Sequence, residues 1–192
     1  IEVPIAITGP KSHGWWALNT LMVVIGMIGF MAVFAYLYLY GINPEVWSAP
    51  PPLGETAIIV GIEAAALLAA WGGRRFLASK EGRLAEDLPW MLEALAATLL
   101  VGALYLDVTG WLATGLEPTA NGMGATVFML SVLQGQVVVV AVIMATYLAF
   151  REARGIMTTP TNVTMDIVAR FIMFCALQGM VFTFLPRVFP GV

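Results

Sequence analysis

Residues 15–40 read WWALNTLMVVIGMIGFMAVFAYLYLY, twenty-six residues without a single charge. A helix rises about 1.5 Å per residue and a bilayer core is roughly 30 Å thick, so about 20 apolar residues in a row are enough to cross it. This stretch therefore reads as a membrane span. The rest of the chain repeats the pattern. Of its 192 residues 60% are hydrophobic and only 11% charged, more apolar surface than a soluble core of this size can use.

Four further runs follow, at residues 56–73, 88–112, 125–150 and 167–184. An open sheet cannot satisfy its backbone polar groups in lipid, so all five runs are read as helices. The expected fold is an all-α membrane protein, a bundle of five transmembrane helices forming a single transmembrane domain over residues 1–192. The connectors NPEVWSAPPPLGE, GGRRFLASKEGRLAEDLP, TGLEPTANGMG and REARGIMTTPTN are too short to hold a second domain.

Charge orients the bundle. Lys11 precedes the first span, Arg74, Arg75, Lys80 and Arg83 lie between the second and third, and Arg151 and Arg154 lie between the fourth and fifth. The opposite side carries Glu45, Glu55 and Glu117, with Arg187 as its basic residue. The positive-inside rule then places the N-terminus and both basic loops in the cytoplasm and the C-terminus outside, as in a bacterial inner membrane. The segment before Trp15 lacks the basic start, short apolar core and small-residue cleavage site of a signal peptide, and processing, a start missing from the sequence or a fused upstream domain would each explain a chain that opens on Ile1. A net charge of −3 without a basic patch argues against nucleic acid as a partner.

The redox inventory is one histidine, His13, and one cysteine, Cys175. Haem or copper in a helical bundle needs His, Cys or Met ligands facing one another, and His13 lies before the first span. The eleven methionines, Met22, Met27 and Met31 among them, read as packing. With no phosphate loop and no Ser, His and Asp set, the chain is expected to have no catalytic residues, metal or cofactor of its own.

The acids are the informative residues. Glu93 and Asp107 share a span and lie fourteen residues apart, which puts them on one face but about 21 Å apart along the axis. Each lies near an end of its span, within expected reach of water or headgroups. Glu63, in IIVGIEAAALLAAWGG, is nearer mid-span, where a carboxyl must be neutral, paired or turned toward protein. It reads either as part of a proton path or as a protonated carboxyl bonded to a neighbouring helix; the sequence places no second acid or histidine beside it, which favours the second. Gln134, Gln136 and Gln178 read as amides that bond helix to helix, next to Gly135 and Gly179. Asp166 and Arg170, four apart, read as a surface ion pair.

Four stretches carry a resemblance. They are GPKSHGWWALNTLMVVIGMIGFMAVFAYLYL (residues 9–39), WSAPPPLGE (47–55), GMGATVFMLSVLQGQVVVV (122–140) and MDIVARFIMFCALQGMVFTFLPRVFP (165–190). In order they resemble the Trp-Trp lead-in and aromatic-ended helix, the Pro-Pro connector, and the fourth and closing helices of the five-helix core of cytochrome c oxidase subunit III, especially in chains fused behind subunit I. The resemblance is one of architecture and connectors. The family's intramembrane glutamate falls at Ile25, its two histidines at Gln134 and Val137, and its Trp-His at Ile172 and Met173, and the family's two N-terminal spans are missing.

The resemblance implies an accessory subunit without cofactors, packed beside the catalytic subunit I and subunit II of a respiratory haem-copper oxidase. Haem and copper belong to the partner, and membrane lipids surround the rest. This subunit stabilises the oxygen-reducing, proton-pumping subunit and supports proton uptake, with Glu93 on the uptake side and Glu63 and Asp107 turned to helices, lipid or partner chains. The accessory chain of a nitric oxide reductase or quinol oxidase shares the pattern. A small proton-coupled transporter using Glu63 is the reading from another class; it expects internal repeats, and the sequence shows none.

Overall fold

The structure is a computed structural model that describes residues 13–76, 83–154 and 162–189, without the side chains of 83–87 and 162. Lys11 and Lys80 lie outside the described residues, as does the Arg83 side chain. Among the described residues there are five α-helices, α1 (His13–Ile42), α2 (Leu53–Phe76), α3 (Arg83–Ala113), α4 (Gly122–Ala153) and α5 (Asn162–Val188), and one short 3-10 turn, Pro44–Val46. All five are long and apolar enough to cross a membrane. The chain is an all-helical membrane protein.

Each helix runs past its apolar run by one to five residues at either end. Hydropathy marks the lipid-facing length, whereas backbone hydrogen bonding carries the helix on into the polar margin. As a result Pro89 lies inside α3 and Pro186 inside α5.

Four helices close a ring: α2 packs on α3 and α5, α3 on α4, and α4 on α5, with α3 and α5 also touching across the middle. The first span is the odd one out. It lies outside the ring against α4 and α5, with Trp16, Met27, Phe30, Met31 and Phe34 exposed.

The ring has a sequence cause. The buried residues of α2 are Thr56, Ile59, Glu63, Ala66, Ala70 and Gly73, spaced alternately three and four. On α3 the buried positions 89, 93, 96, 100, 103, 107 and 111 follow nearly the same rhythm. A three-four seam is what two helices crossing at about +20° require, and alanine or glycine along it lets the backbones approach closely. Ala66, Ala70, Ala96, Ala97, Ala141 and Ala176 form that small-residue lining, with Leu100, Phe171 and Ile172 filling the space between.

One end of the bundle is tied by the connector after α1. Tyr36, fully buried, accepts a hydrogen bond from Trp47 Nε1 at 3.0 Å and directs its own hydroxyl at the carbonyls of Pro186 in α5 and of Phe189 just after it. Trp47 stands edge-on to both Tyr36 and Tyr40. Asn121 caps α4, accepting from Gly124 N at 2.8 Å, while its Nδ2 donates to Val46 O at 3.2 Å. Satisfying these groups internally matters where water is scarce. Tyr36→Phe removes the hydroxyl from the Pro186 and Phe189 carbonyls and from Trp47. It should lower stability by about 1–3 kcal/mol, measured by denaturant titration of the protein in mild detergent, whereas Tyr38→Phe on the exposed face should leave it unchanged.

Candidate functional site

The ring encloses a buried polar cluster. Arg187, in the last turn of α5, is 2% exposed and forms an ion pair with Asp107 of α3. Its Nη1 also donates to Thr183 O at 3.1 Å, and its guanidinium lies 4.9 Å over the Trp111 ring. Asp107 takes a second hydrogen bond from Ser131 Oγ of α4 at 3.3 Å. Thr183, one turn back along α5, donates to Glu63 of α2 at 3.5 Å.

Glu63 reaches this place because α5 has no side chain opposite it. A Cβ on Gly179 would overlap Glu63 Oε1 and would lie 2.8 Å from Gln134 Nε2. The carboxyl and the amide thus close on one point against the bare backbone of Gly179, and any larger residue there would displace both. Gln134 is also held by Cys175 O, to which its Nε2 donates at 2.9 Å. All four ring helices contribute: α2 gives Glu63, α3 gives Asp107, α4 gives Ser131 and Gln134, and α5 gives Thr183 and Arg187.

These positions correct three expectations. Asp107 is buried rather than turned to water or headgroups, and Arg187 meets it inside the ring. Arg187 is not a surface charge of the acidic side. Glu63 does have a second acid in its surroundings, since Asp107 belongs to the same cluster through Arg187 and Thr183. The two carboxylates share the field of one cation, which offsets only one of them.

Glu93 is separate. It is 1% exposed, so it does not reach the headgroups either, and neither carboxyl oxygen has a hydrogen-bond partner among the described residues. Gly73 of α2 makes room for it: a Cβ there would lie 3.0 Å from Glu93 Oε1 and 3.1 Å from Pro89 O. Ten residues of α2 separate Glu63 from Gly73, about 15 Å along the axis. Alanines, Leu100, Phe171, Ile172 and Cys175 fill that interval.

At the same end Asp166 pairs with Arg170 at 2.7 Å, as its spacing predicts. It also pairs with Arg74 of α2 at 2.6 Å, a partner the sequence assigned to a loop. This three-membered, half-exposed cluster clips α2 to α5. The amides divide. Gln134 bonds within the bundle, but Gln136 is exposed, and Gln178 leaves a buried Oε1 without a partner. Among the described residues no group of three His, Cys, Asp or Glu could hold a metal ion.

Comparison of the chain with protein-family models, with curated proteins and with solved structures finds no match. What the site can do is therefore argued from its own chemistry. A buried ion pair beside a second carboxyl can bind or pass a proton.

The pair itself is testable. Arg187→Met leaves Asp107 buried without its cation and should cost about 3–5 kcal/mol of stability. Asp107→Leu combined with Arg187→Met should recover most of that loss. Denaturant titration of the single and double variants in detergent measures both, and a double variant no more stable than Arg187→Met would show that the pair is not a unit.

Proposed function

We propose that the chain is an accessory, cofactor-free subunit of a respiratory haem-copper oxidase of the subunit III type, set in a bacterial cytoplasmic membrane with its N-terminus inside. Its partners are the catalytic subunit I, which carries the haem and copper, and subunit II. One observation supports this reading. The stretches that carry the resemblance meet at one end of the bundle: Tyr36 of the first bonds Trp47 of the connector and the carbonyls of Pro186 and Phe189 around the end of the closing helix. Ser48 of the connector donates to Met123 Sδ in the fourth-helix stretch at 3.4 Å.

In this role the chain stabilises the oxygen-reducing subunit and supports proton uptake at the basic end, where Glu93 lies below Arg74. Glu93→Gln is expected to lower the oxidase's proton-to-electron ratio; unchanged turnover and pumping would remove Glu93 from the proposal. The haems and electron donor of the partner distinguish a cytochrome c oxidase from a quinol oxidase or nitric oxide reductase.

A second reading is favoured by the cluster itself. Two carboxylates and one arginine within the same ring are also what a small proton-coupled transporter would use, with Glu63 as the proton carrier. One preparation separates the two. Purification in mild detergent through a tag on this chain should bring down a large His-rich membrane subunit with haem bands in the reduced-minus-oxidised spectrum. A colourless chain that purifies alone and moves protons across vesicles would overturn the oxidase reading and leave the transporter.

A further inference from the structure

Gln136 is an exposed side chain near the middle of α4, fourteen residues from Gly122 and seventeen from Ala153, which is about 21 Å from one helix end and 26 Å from the other. Acyl chains at that depth offer neither donor nor acceptor, so an amide facing lipid there is left without any hydrogen bond. No hydrogen bond to Gln136 is present among the described residues. Two other amides of the spans are hydrogen-bonded: Asn19 donates to Trp15 O of its own helix, and Gln134 to Cys175 O across the bundle.

A second amide lies level with it. Contacts of Gln134 and Val137 with Cys175 set residues 134–137 of α4 beside Cys175, one turn from Gln178. Gln178 and Gln136 line one groove, about 230 Å³, between α1 and α4, whose other walls include Ile25, Ile28, Gly29 and Leu133. Gln178 Oε1 is buried and has no hydrogen-bond partner among the described residues. Gln178 also borders a second groove, about 320 Å³, on the opposite flank of α1. An otherwise apolar groove thus holds two unpaired amides at one depth.

We propose that this groove is the docking site for a transmembrane helix of a partner chain, presenting an amide or hydroxyl side chain at mid-depth to Gln136. A spanning segment must satisfy its own backbone, which makes the occupant a helix. A side chain that both donates and accepts pairs both ends of an amide, and Asn, Gln, Ser and Thr do so without a charge or a ring, which makes one of them the expected match. Apolar grooves fitted by a helix with one interhelical hydrogen bond are an ordinary mode of association in membranes. That the occupant is a different chain rests on the accessory-subunit reading; that something other than lipid covers Gln136 does not.

The test is site-specific photo-crosslinking in native membranes, with benzoylphenylalanine replacing Val140 in the groove and, as control, Leu68 on the exposed face of α2. The expected result is a link from position 140, absent from position 68, to one helix of one other membrane chain with Asn, Gln, Ser or Thr within a turn of the linked residue. Gln136→Leu should lower that yield roughly threefold, the change that one interhelical hydrogen bond of average strength produces. Because Gln136 makes no hydrogen bond among the described residues, this substitution breaks none within the bundle. A link to lipid alone, to a second copy of this chain, or to a helix without such a residue overturns the proposal, as does a yield unchanged by Gln136→Leu. The haem spectrum of the same membranes keeps the two readings apart. A link at position 140 with no haem co-purifying with this chain sinks the oxidase reading and leaves the groove, whereas co-purifying haem with no link at position 140 does the reverse.

Discussion

An arginine inside a membrane bundle sets the terms for everything around it. Taking a guanidinium out of water costs several kcal/mol unless it is paired and hydrogen-bonded. Arg187 is accommodated because Asp107 lies opposite, Thr183 supplies a carbonyl and Trp111 supplies a ring face. These contacts draw the end of α5 against α3, across the ring. With α5 held there, the carbonyls of Pro186 and Phe189 come within reach of Tyr36 on α1, and Tyr36 in turn fixes Trp47 and the connector. The tie between α1 and the other helices at this end therefore depends on a charge pair in α3 and α5. Removing one partner would leave a bare charge, whereas removing both would leave a volume that apolar side chains can fill.

The small-residue seam is what lets the polar cluster exist without opening the bundle. Glu63 occupies a seam position of α2, between Ile59 and Ala66, and Glu93 and Asp107 occupy seam positions of α3 two heptads apart. A long acid at such a position must have a facing gap. Gly179 provides it for Glu63 and Gly73 for Glu93. The acids are thereby held at two levels separated by a packed apolar interval, the larger cluster toward the Arg187 end and Glu93 toward the Arg74 end. A proton reaching Glu63 from one end and a proton reaching Glu93 from the other would meet Leu100, Phe171 and Ile172 between them. The described residues thus form two one-ended polar sites rather than a relay across the membrane.

Much of this was legible in the sequence, and the limits have a physical cause. Length and hydropathy placed all five helices, because a bilayer selects for both. They could not say which faces turn inward, since lipid and protein interior are equally apolar and the usual contrast between wet and dry faces is missing. The information lay instead in residue size. Thr56, Ile59, Glu63, Ala66, Ala70 and Gly73 step by threes and fours, and Glu93 and Asp107 are separated by two full heptads; both mark a packing seam. Arg187 was misplaced because a basic residue near a span end looks like a loop charge. Its signal was isolation, as the basic residue of an otherwise acidic side. Gly179 and Thr183 carried no signal alone, because their role follows from what Glu63 does on another helix. Gln134 and Gln136 look equivalent in sequence, and the helical twist of about 200° between them sends one inward and the other out.

That last difference bears on what kind of object the bundle is. The ring of α2 to α5 holds Glu63, Glu93, Asp107, Gln134 and Arg187 inside, so these groups have little reason to seek further contacts. The first helix has not been drawn into that ring; it lies along α4 and α5 with apolar grooves on both flanks. In a membrane, apolar exposure alone says nothing about partners, because lipid serves as well as protein. A polar group exposed at mid-depth does, because lipid cannot serve it. Gln136 meets that criterion, and it stands in the groove that α1 makes with α4. The association surface of this chain is therefore argued from one unpaired amide rather than from the large apolar face of α1, and the polar ring is the rigid support that holds the amide in place.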